Sequence, residues 1–296
     1  MNLLKLKVQS EIILPFFAYY QFMSDSIKEQ IASYRKDAVN QSSISINDLK
    51  KVSLMIPPLP EQQHIVSELD SLNRIIEKQK EQLKQLDELA QSIFYDMFGD
   101  PVENEKGWEV KKIGDLGSVV TGNTPSRKEL EYYSSNYIEW IKTDNIIKGQ
   151  LYPSNAREYL SEKGALKGRI LPAGSILVTC IAGSINSIGT SCLTDREIAF
   201  NQQINAIKPS PMVNPYFLYY NFSVQSNFIQ SFATTGMKHI ITKGVFENIP
   251  MILPPLALQQ AFAQKIEAIE HQKELIKQSL AETENLFNSR MDYYFG

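Results

Sequence analysis

Hydroxyl, amide and cationic side chains gather in four short stretches of this sequence, a mixture better suited to hydrogen bonding than to making or breaking bonds. The stretch "TGNTPSRK" (121 to 128) offers Thr121, Asn123, Thr124, Arg127 and Lys128. "KTDNIIKG" (142 to 149) offers Lys142, Asp144, Asn145 and Lys148, and "GSINSIG" (183 to 189) offers Ser184, Asn186 and Ser187 at a polar hairpin tip. "TGMKHIITK" (235 to 243) carries Gly236, Lys238, His239 and Lys243, and a counterpart near the N-terminus, "YRKDAVNQSS" (34 to 43), carries Arg35, Lys36, Asn40 and Gln41. Cations neutralise phosphates, while amides and guanidinium groups read base edges, so all of these are candidate DNA contacts. The 235–243 stretch leads, because its glycine permits a tight exposed loop followed by three basic or titratable groups. A plain solvated turn is the competing reading at each stretch.

Catalysis needs a convergent set of reactive groups, and none emerges. "NPYF" (214 to 217) is similar to the Asn-Pro-Pro-Tyr loop of amino-methyltransferases, but it lacks one proline and follows no glycine-rich cofactor loop, so it reads as a helix start. Phosphate-cradling glycine loops and a nucleophile elbow are absent. Glu139 and Asp144 near Lys142 imitate a nuclease site without a second motif to support it. His64, His239 and His271 are too far apart in sequence to suggest a metal cluster. The aromatic run Tyr216, Phe217, Tyr219, Tyr220 and Phe222 is expected in a helix core rather than as a base-stacking platform. Neither catalysis, nor a cofactor, nor a metal is expected in this chain.

Net charge is -3 over 296 residues with 43% apolar and 21% charged content, and the pI is about 5.8. That balance argues against a generic polyanion binder but not against a basic patch on one lobe. Acid concentrates at 61–100 (net -5) and 258–296 (net -2), and mild base at 108–250 (net +3) and 1–60 (net +2). Cys180 and Cys192 are expected as reduced, buried thiols rather than a hairpin bridge, since no secretory leader is evident. No stretch approaches the roughly 18 apolar residues of a membrane span, so the cytoplasm is the expected compartment.

The elements that must position these stretches are announced by a repeat. "MIPPLPEQQHIVSEL" (55 to 69) is answered by "MILPPLALQQAFAQKI" (251 to 266), with Pro57-Pro58-Leu59 falling on Pro254-Pro255-Leu256 at an offset of 197. That offset also carries Gln62-Gln63 onto Gln259-Gln260 and Phe98-Gly99 onto Phe295-Gly296. Upstream, "LPFFAYYQF" (14 to 22) answers "NPYFLYYNF" (214 to 222). After the prolines, residues 65, 69, 72, 76, 79, 83, 86, 90, 93 and 97 step by four and three, and only Gln79 among them is polar. This is the narrow seam of a coiled coil. Seven of the ten matching positions from Phe262 to Tyr294 are apolar. Pro60 suits a first helical turn, Glu61 the positive end of the dipole, and Gly99 with Pro101 a stop. Two helices of about 38 residues, each roughly 57 Å long, are therefore expected to pair antiparallel, within one chain or between two, which allows a homodimer through the helices.

Between the helices, residues 108–208 alternate or cluster β-branched residues between Gly, Pro and Asn, which predicts a mostly β lobe. A helix over about 215–233, a loop at 235–243 and the strand "NIPMIL" should follow. Residues 1–58 match only the closing part of that lobe and read as a truncated first copy. The expected class is α+β, divided at 1–58, 59–99, 100–255 and 256–296.

With "GWEVKKIGDLGSVVTGNTPS" (107 to 126), "LPAGSIL" (171 to 177), "NIPMILPPLALQQAFAQKI" (248 to 266) and "VSLMIPPLPEQQHIVSEL" (52 to 69) assembled, the chain resembles the specificity subunit of type I restriction-modification systems. The resemblance covers almost the whole chain. It implies a β-rich target-recognition domain, a partial second one at the N-terminus, and two long helices paired antiparallel as a ruler. It further implies a non-catalytic guide to double-stranded DNA that binds modification subunits, and restriction subunits through them, with S-adenosylmethionine held by the modification subunit. A ruler of that length spans at most about 17 base pairs at 3.4 Å each. The alternatives are a coiled-coil adaptor that binds protein alone and shows no DNA sequence preference, and an enzyme such as a fused methyltransferase, which must bind that cofactor itself.

Overall fold

The computed structural model describes residues 5–34, 36–38 and 41–296, with the two short strands between 36 and 43 described by their backbone alone. In chain order the first elements are α1 (Pro15–Met23), α2 (Asp25–Ser33), the hairpin β1 (Lys36–Ala38) and β2 (Gln41–Ser43), and α3 (Ile46–Leu49). The first long helix follows, α4 (Leu59–Phe98). Then come β3 (Glu109–Lys112), α5 (Ile113–Leu116), β4 (Gly117–Thr121), β5 (Ile138–Ile141), β6 (Tyr159–Leu160), α6 (Glu162–Ala165), β7 (Ile170–Leu171), β8 (Ile176–Thr179) and β9 (Ile181–Ala182). After β10 (Ser191–Leu193), β11 (Ile198–Phe200) and β12 (Ile204–Pro209), the chain ends with α7 (Pro215–Val224), α8 (Ser226–Gln230), β13 (His239–Ile240), α9 (Lys243–Glu247), β14 (Pro250–Leu253) and the second long helix, α10 (Leu256–Phe295). This is an α+β fold with a β-rich part and two long interacting helices. Among the described residues no helix is long and apolar enough to cross a membrane.

The chain divides into two units, and both long helices contribute to each. One unit is Met1–Gln85 with His271–Gly296. Its core joins Ile13, Phe17, Ala18 and Tyr20 to Ile65, Val66 and Leu69 from the head of α4, and to Met291 and Phe295 from the tail of α10. The head of one helix thus lies beside the tail of the other, which makes the pairing antiparallel. Phe17 meets Phe295 edge-on at 5.3 Å, Tyr294 Oη donates to Glu68 at 2.5 Å, and Arg290 Nε pairs with the same carboxylate at 2.7 Å. Tyr20 Oη donates to Asp70 at 2.5 Å. Gln79, the one polar residue of the α4 seam, donates to Ser279 Oγ of α10 at 2.9 Å, a polar contact of the kind that fixes register at some cost in stability.

The other unit is Leu86–Glu270. Here Phe94 and Phe98 from the tail of α4 meet Phe262 from the head of α10 and Phe217 from α7, with ring centroids 4.9 to 5.9 Å apart. The pairing is again antiparallel. The β part holds two four-stranded sheets, ordered β10-β8-β12-β4 and β6-β5-β11-β7, and in the second of these β11 runs parallel to β5. Gly122 follows β4 where a Cβ would come 2.1 Å from the Asn201 carbonyl oxygen, so only glycine lets those two segments close. Gly99, at φ 75°, ends α4 as expected.

Each unit carries the same clamp, which accounts for the repeated Pro-Pro and Gln-Gln. The buried amide of Gln62 accepts from Leu14 N at 2.8 Å and donates to Ile12 O at 2.9 Å and to Pro57 O at 2.7 Å. Buried Gln259 accepts from Asn214 N at 2.8 Å and donates to Met212 O at 3.3 Å and to Pro254 O at 2.7 Å. One side chain thereby satisfies three backbone groups where the chain enters α1 or α7 and where the prolines launch the long helix.

One expectation is refined and two are met. The helix anticipated over 215–233 is two pieces, α7 and α8, broken at Gln225 (φ -95°, ψ 11°), whose buried amide is bonded to Asn221 and to Met251 Sδ. Asn214 is indeed the helix start, capping Tyr216 N at 2.9 Å. Cys180 and Cys192 are free and buried, and they face different cores, the first beside Ile176 and Val178, the second beside Leu177. Burial pushes the Cys180 thiol up to about 12 and the Cys192 thiol higher still, so both stay protonated at neutral pH. Native protein at pH 8 is therefore expected to show no fast-reacting thiol in a disulfide-exchange titration, with both reacting in denaturant. A fast thiol in the folded protein would refute that burial.

Candidate nucleic-acid interface

The short strands β9 and β13 pair antiparallel, with Ala182 opposite His239 and Ile181 opposite Ile240. Antiparallel register puts the start of the 183–187 stretch and the end of the 235–238 stretch at the same end of this ribbon. The ribbon is anchored by Cys180 N and Ile181 N, which both donate to Gln203 O at 2.9 and 3.0 Å, and by Ile241 N, which donates to Cys180 O at 2.8 Å. Beside it lies a cleft of about 450 Å³ lined by Thr143, Asp144, Lys148, Asn186, Ser187 and Gln203, among others. Three stretches distant in sequence (142–149, 183–189 and 235–243) thus contribute to one neighbourhood.

The 235–238 tip is held at its base. Thr234 N donates to Ile240 O at 3.0 Å, Ile240 N donates to Thr234 Oγ1 at 3.2 Å, and His239 Nδ1 lies 3.2 Å from Thr234 O. Gly236, Met237 and Lys238 are exposed beyond this closure, and Met237 is 99% exposed. Ser184, Asn186 and Ser187 are exposed on their own turn. Among the described residues neither Lys148 nor Lys238 is paired with a carboxylate, so both ammonium groups are available to an anion.

Other expected contacts are already engaged. Arg127 Nη2 pairs with Glu158 at 2.5 Å, Lys142 Nζ binds the other oxygen of that carboxylate, and both cations lie over the Trp140 ring. Arg127 also sits 4.4 Å from the centre of the Tyr133 ring. The bond from Lys142 holds the Glu158 carboxyl below its ordinary range against the opposing effect of burial, and Arg127 adds to it. Asn145 is buried: its Oδ1 accepts from Lys142 N at 3.0 Å, while its Nδ2 donates to Ser154 Oγ at 3.2 Å and Asn155 O at 3.0 Å. Its amide shapes the turn rather than facing outward.

Thr121 Oγ1 donates to Asn205 Oδ1 at 2.6 Å, and Asn123 Nδ2 donates to Lys167 O at 2.7 Å. Thr124 is exposed and bonded to Gln202, and Lys128 is exposed. Lys243 begins α9 instead of lying in the loop and pairs with Glu247 at 3.4 Å. Arg35 and Asn40 lie outside the described residues, and the side chains of Lys36 and Gln41 are likewise outside them.

Gln202 and Gln203 do not stand out in the sequence. Their signal is three consecutive amides, Asn201-Gln202-Gln203, interrupting an apolar run between Phe200 and Ile204. Thr179 Oγ1, buried in the lining of the same cleft, has no hydrogen-bond partner. Glu139 does not build a nuclease site: burial pushes its carboxyl up, but the Arg196 guanidinium and Ala156 N, at 2.7 Å, outweigh that and hold it below the usual range. Among the described residues no three His, Cys, Asp or Glu side chains form a metal site.

The model of the type I restriction modification DNA specificity domain matches residues 1–87 and 105–285. A stretch of 151 residues is 29% identical to the Type I restriction enzyme MjaIX specificity subunit of Methanocaldococcus jannaschii, covering 45% of this chain and 34% of that protein. Over 283 residues the chain is 25% identical to the putative type I restriction enzyme MjaX specificity subunit of the same organism, covering 91% of this chain and 64% of that protein. It thus spans less than two thirds of either relative. The crystal structure of the type I restriction-modification system S subunit from M. genitalium shares its fold, with a TM-score of 0.57 at 14% identity over 96% of this chain and 73% of that one.

Proposed function

The chain belongs to the family of the type I restriction modification DNA specificity domain, and from that premise we propose that it is the non-catalytic specificity subunit of a type I restriction-modification complex. In this reading it recognises a double-stranded DNA sequence and directs methyltransferase and restriction subunits to a bipartite target in the cytoplasm. S-adenosylmethionine belongs to the modification subunit. The observation that carries the reading is the convergence of 142–149 and 183–189 on one cleft, to which 235–243 is joined by the β9–β13 ribbon, with Lys148 and Lys238 unpaired among the described residues. Lysines supply phosphate contacts, while Asn186, Gln203, Ser187 and Asp144 supply donors and acceptors for base edges.

Within this proposal the DNA-facing set narrows to Lys148, Ser184, Asn186, Ser187, Gly236, Lys238 and His239, with Thr124 and Lys128 at its border. Arg127, Lys142, Asn145, Thr121 and Asn123 act by holding the loops in shape. The exposed thioether of Met237 offers an apolar contact such as a thymine methyl accepts. The seams of α4 and α10 form an antiparallel coiled coil, and residues 1–58 are the closing part of a second recognition domain. Because α4 and α10 contact each other within one chain, a helix-mediated homodimer is not required, and light scattering of the isolated chain should give the mass of a monomer.

The test is selection from a random duplex library by the chain bound to its modification subunit. One half-site should be enriched, and no enrichment at all would defeat the proposal. Lys148→Ala and Lys238→Ala should each lower affinity and flatten the plot of log affinity against log salt by about 0.9 for each phosphate that is no longer neutralised. Lys243→Ala, whose ammonium is paired with Glu247, should change that slope less. Slopes unaltered by both substitutions would remove these residues from the interface.

A further inference from the structure

Within Asn201-Gln202-Gln203 one side-chain amide orients another. Gln203 N donates to Asn201 Oδ1 at 3.1 Å, and a backbone N–H can only donate, so the Asn201 amide must lie with its oxygen towards it. Asn201 Nδ2 is then left to donate to Gln203 Oε1, which it does at 3.0 Å. The far end is fixed independently: Gln203 Nε2 faces Ile181 O at 3.5 Å, and a carbonyl oxygen can only accept. Both anchors demand the same orientation. Asn201 is buried, and its own backbone N is tied to Ile141 O at 3.0 Å.

The consequence is a one-sided amide in the lining of the 450 Å³ cleft. Gln203 is half-buried there with its acceptor engaged, and the long contact to Ile181 O leaves at least one N–H of Nε2 without a partner among the described residues. An unconstrained glutamine offers a donor and an acceptor side by side, the pattern that matches adenine, whereas this one offers a donor alone. Thr179, which pairs with Ile204 across β8 and β12, lies beside Gln203 in the same lining, and its buried hydroxyl is also without a partner. Hydrogen-bonding capacity left unused at one spot calls for a ligand or water to complete it. Asp144, exposed in that lining and paired with no cation among the described residues, disfavours a phosphate as that ligand.

We propose that Gln203 reads a keto oxygen, guanine O6 or thymine O4, at one position of the target, and that Asn201 sets this choice by holding the amide donor outward. This rests on the DNA-recognition reading above and adds which base edge the cleft accepts. Adenine and cytosine present an amino group at the corresponding place in the major groove, and two donors facing each other form no hydrogen bond. Asn201 is a positioning residue: it is buried and acts through Gln203.

Random-duplex selection by the chain bound to its modification subunit, run on the natural protein and three variants, tests this. The natural protein should prefer one base pair at the position by about tenfold over the same pair with its strands exchanged, and replacing that keto oxygen by sulfur, a weaker acceptor, should lower its affinity. Asn201→Asp cannot donate to Gln203 Oε1, so the Gln203 amide turns over, donates to the new carboxylate and presents its oxygen to the cleft. The base selected at that one position should then change from guanine or thymine to cytosine or adenine on the same strand, with the rest of the half-site kept. Gln203→Glu, which sets a carboxylate oxygen in the place of Nε2, should make the same exchange, and Gln203→Leu should leave the position unselective. A loss of stability or of affinity for every sequence does not alter the base chosen at one position, so the exchange separates orientation from a merely structural role. A half-site that none of the three variants alters overturns the inference and leaves DNA recognition standing. Selectivity lost in Gln203→Leu without an exchange in either Asn201→Asp or Gln203→Glu also overturns it, because the donor is then not held in one orientation. No enrichment by the natural protein overturns both readings.

Discussion

Replacing Phe217 by alanine is expected to lower the unfolding free energy of the unit at Leu86–Glu270 by about 3–5 kcal/mol. The ring is fully buried, stacks on Phe94 at 5.9 Å and 17°, and meets Phe98 edge-on at 4.9 Å. Those two phenylalanines also enclose Phe262. Truncation therefore leaves a cavity among rigid rings from three helices and forfeits aromatic packing beyond the area buried. Trp108 and Trp140, the only two tryptophans of the chain, both lie in this unit, so the fluorescence transition in urea reports its unfolding. A loss under about 1 kcal/mol would mean that the four rings are not packed as described.

The second large effect concerns one glutamine of each repeated pair. Gln259→Leu removes the acceptor of Asn214 N and the donor to Met212 O and Pro254 O, leaving backbone groups without partners in a site that water does not reach. Each unsatisfied buried group costs about 1–3 kcal/mol, so a total loss of about 2–4 kcal/mol is expected, partly offset by the apolar replacement. Gln260→Leu, at an exposed position, should stay within about 0.5 kcal/mol. The same contrast should hold between Gln62→Leu and Gln63→Leu in the other unit, followed by circular dichroism because that unit has no tryptophan. Equal effects within a pair would refute the clamp.

Phe17 on Phe295 and Phe217 on Phe98 are the same contact seen twice, since the repeat carries Phe17 to Phe217 and Phe98 to Phe295. Each lobe helix is completed by the helix tail of the other copy. That exchange works only if the long helices pair head to tail, which explains why equal spacing from the prolines to the terminal phenylalanine and glycine is informative. The ten seam positions of α4 were also legible: each is buried or half-buried, because a periodicity of four and three residues records which side of a helix meets its partner. The β-rich character of 108–208 was legible for the same reason, in the β-branched clusters and their breakers.

The candidate interface was legible only by composition. Lys142 and Lys148 stand in one short polar stretch and look alike there, but Glu158, contributed from ten or more residues away, engages only the first. Asn145 and Asn186 are both loop asparagines, yet one fills its hydrogen bonds inside a turn and the other faces the cleft. Gln202 and Gln203 are hidden in the sequence because they sit inside an apolar run that reads as strand.

The sequence by itself determined the repeat and the two long helices with their apolar stripes, because those features follow from periodicity and from residues close along the chain. Only the tertiary structure decided which glutamine of each pair is the clamp, which cations are left unpaired, and which loops share a cleft. Such outcomes depend on partners brought together by folding from distant positions, and a linear pattern does not encode the distance between them.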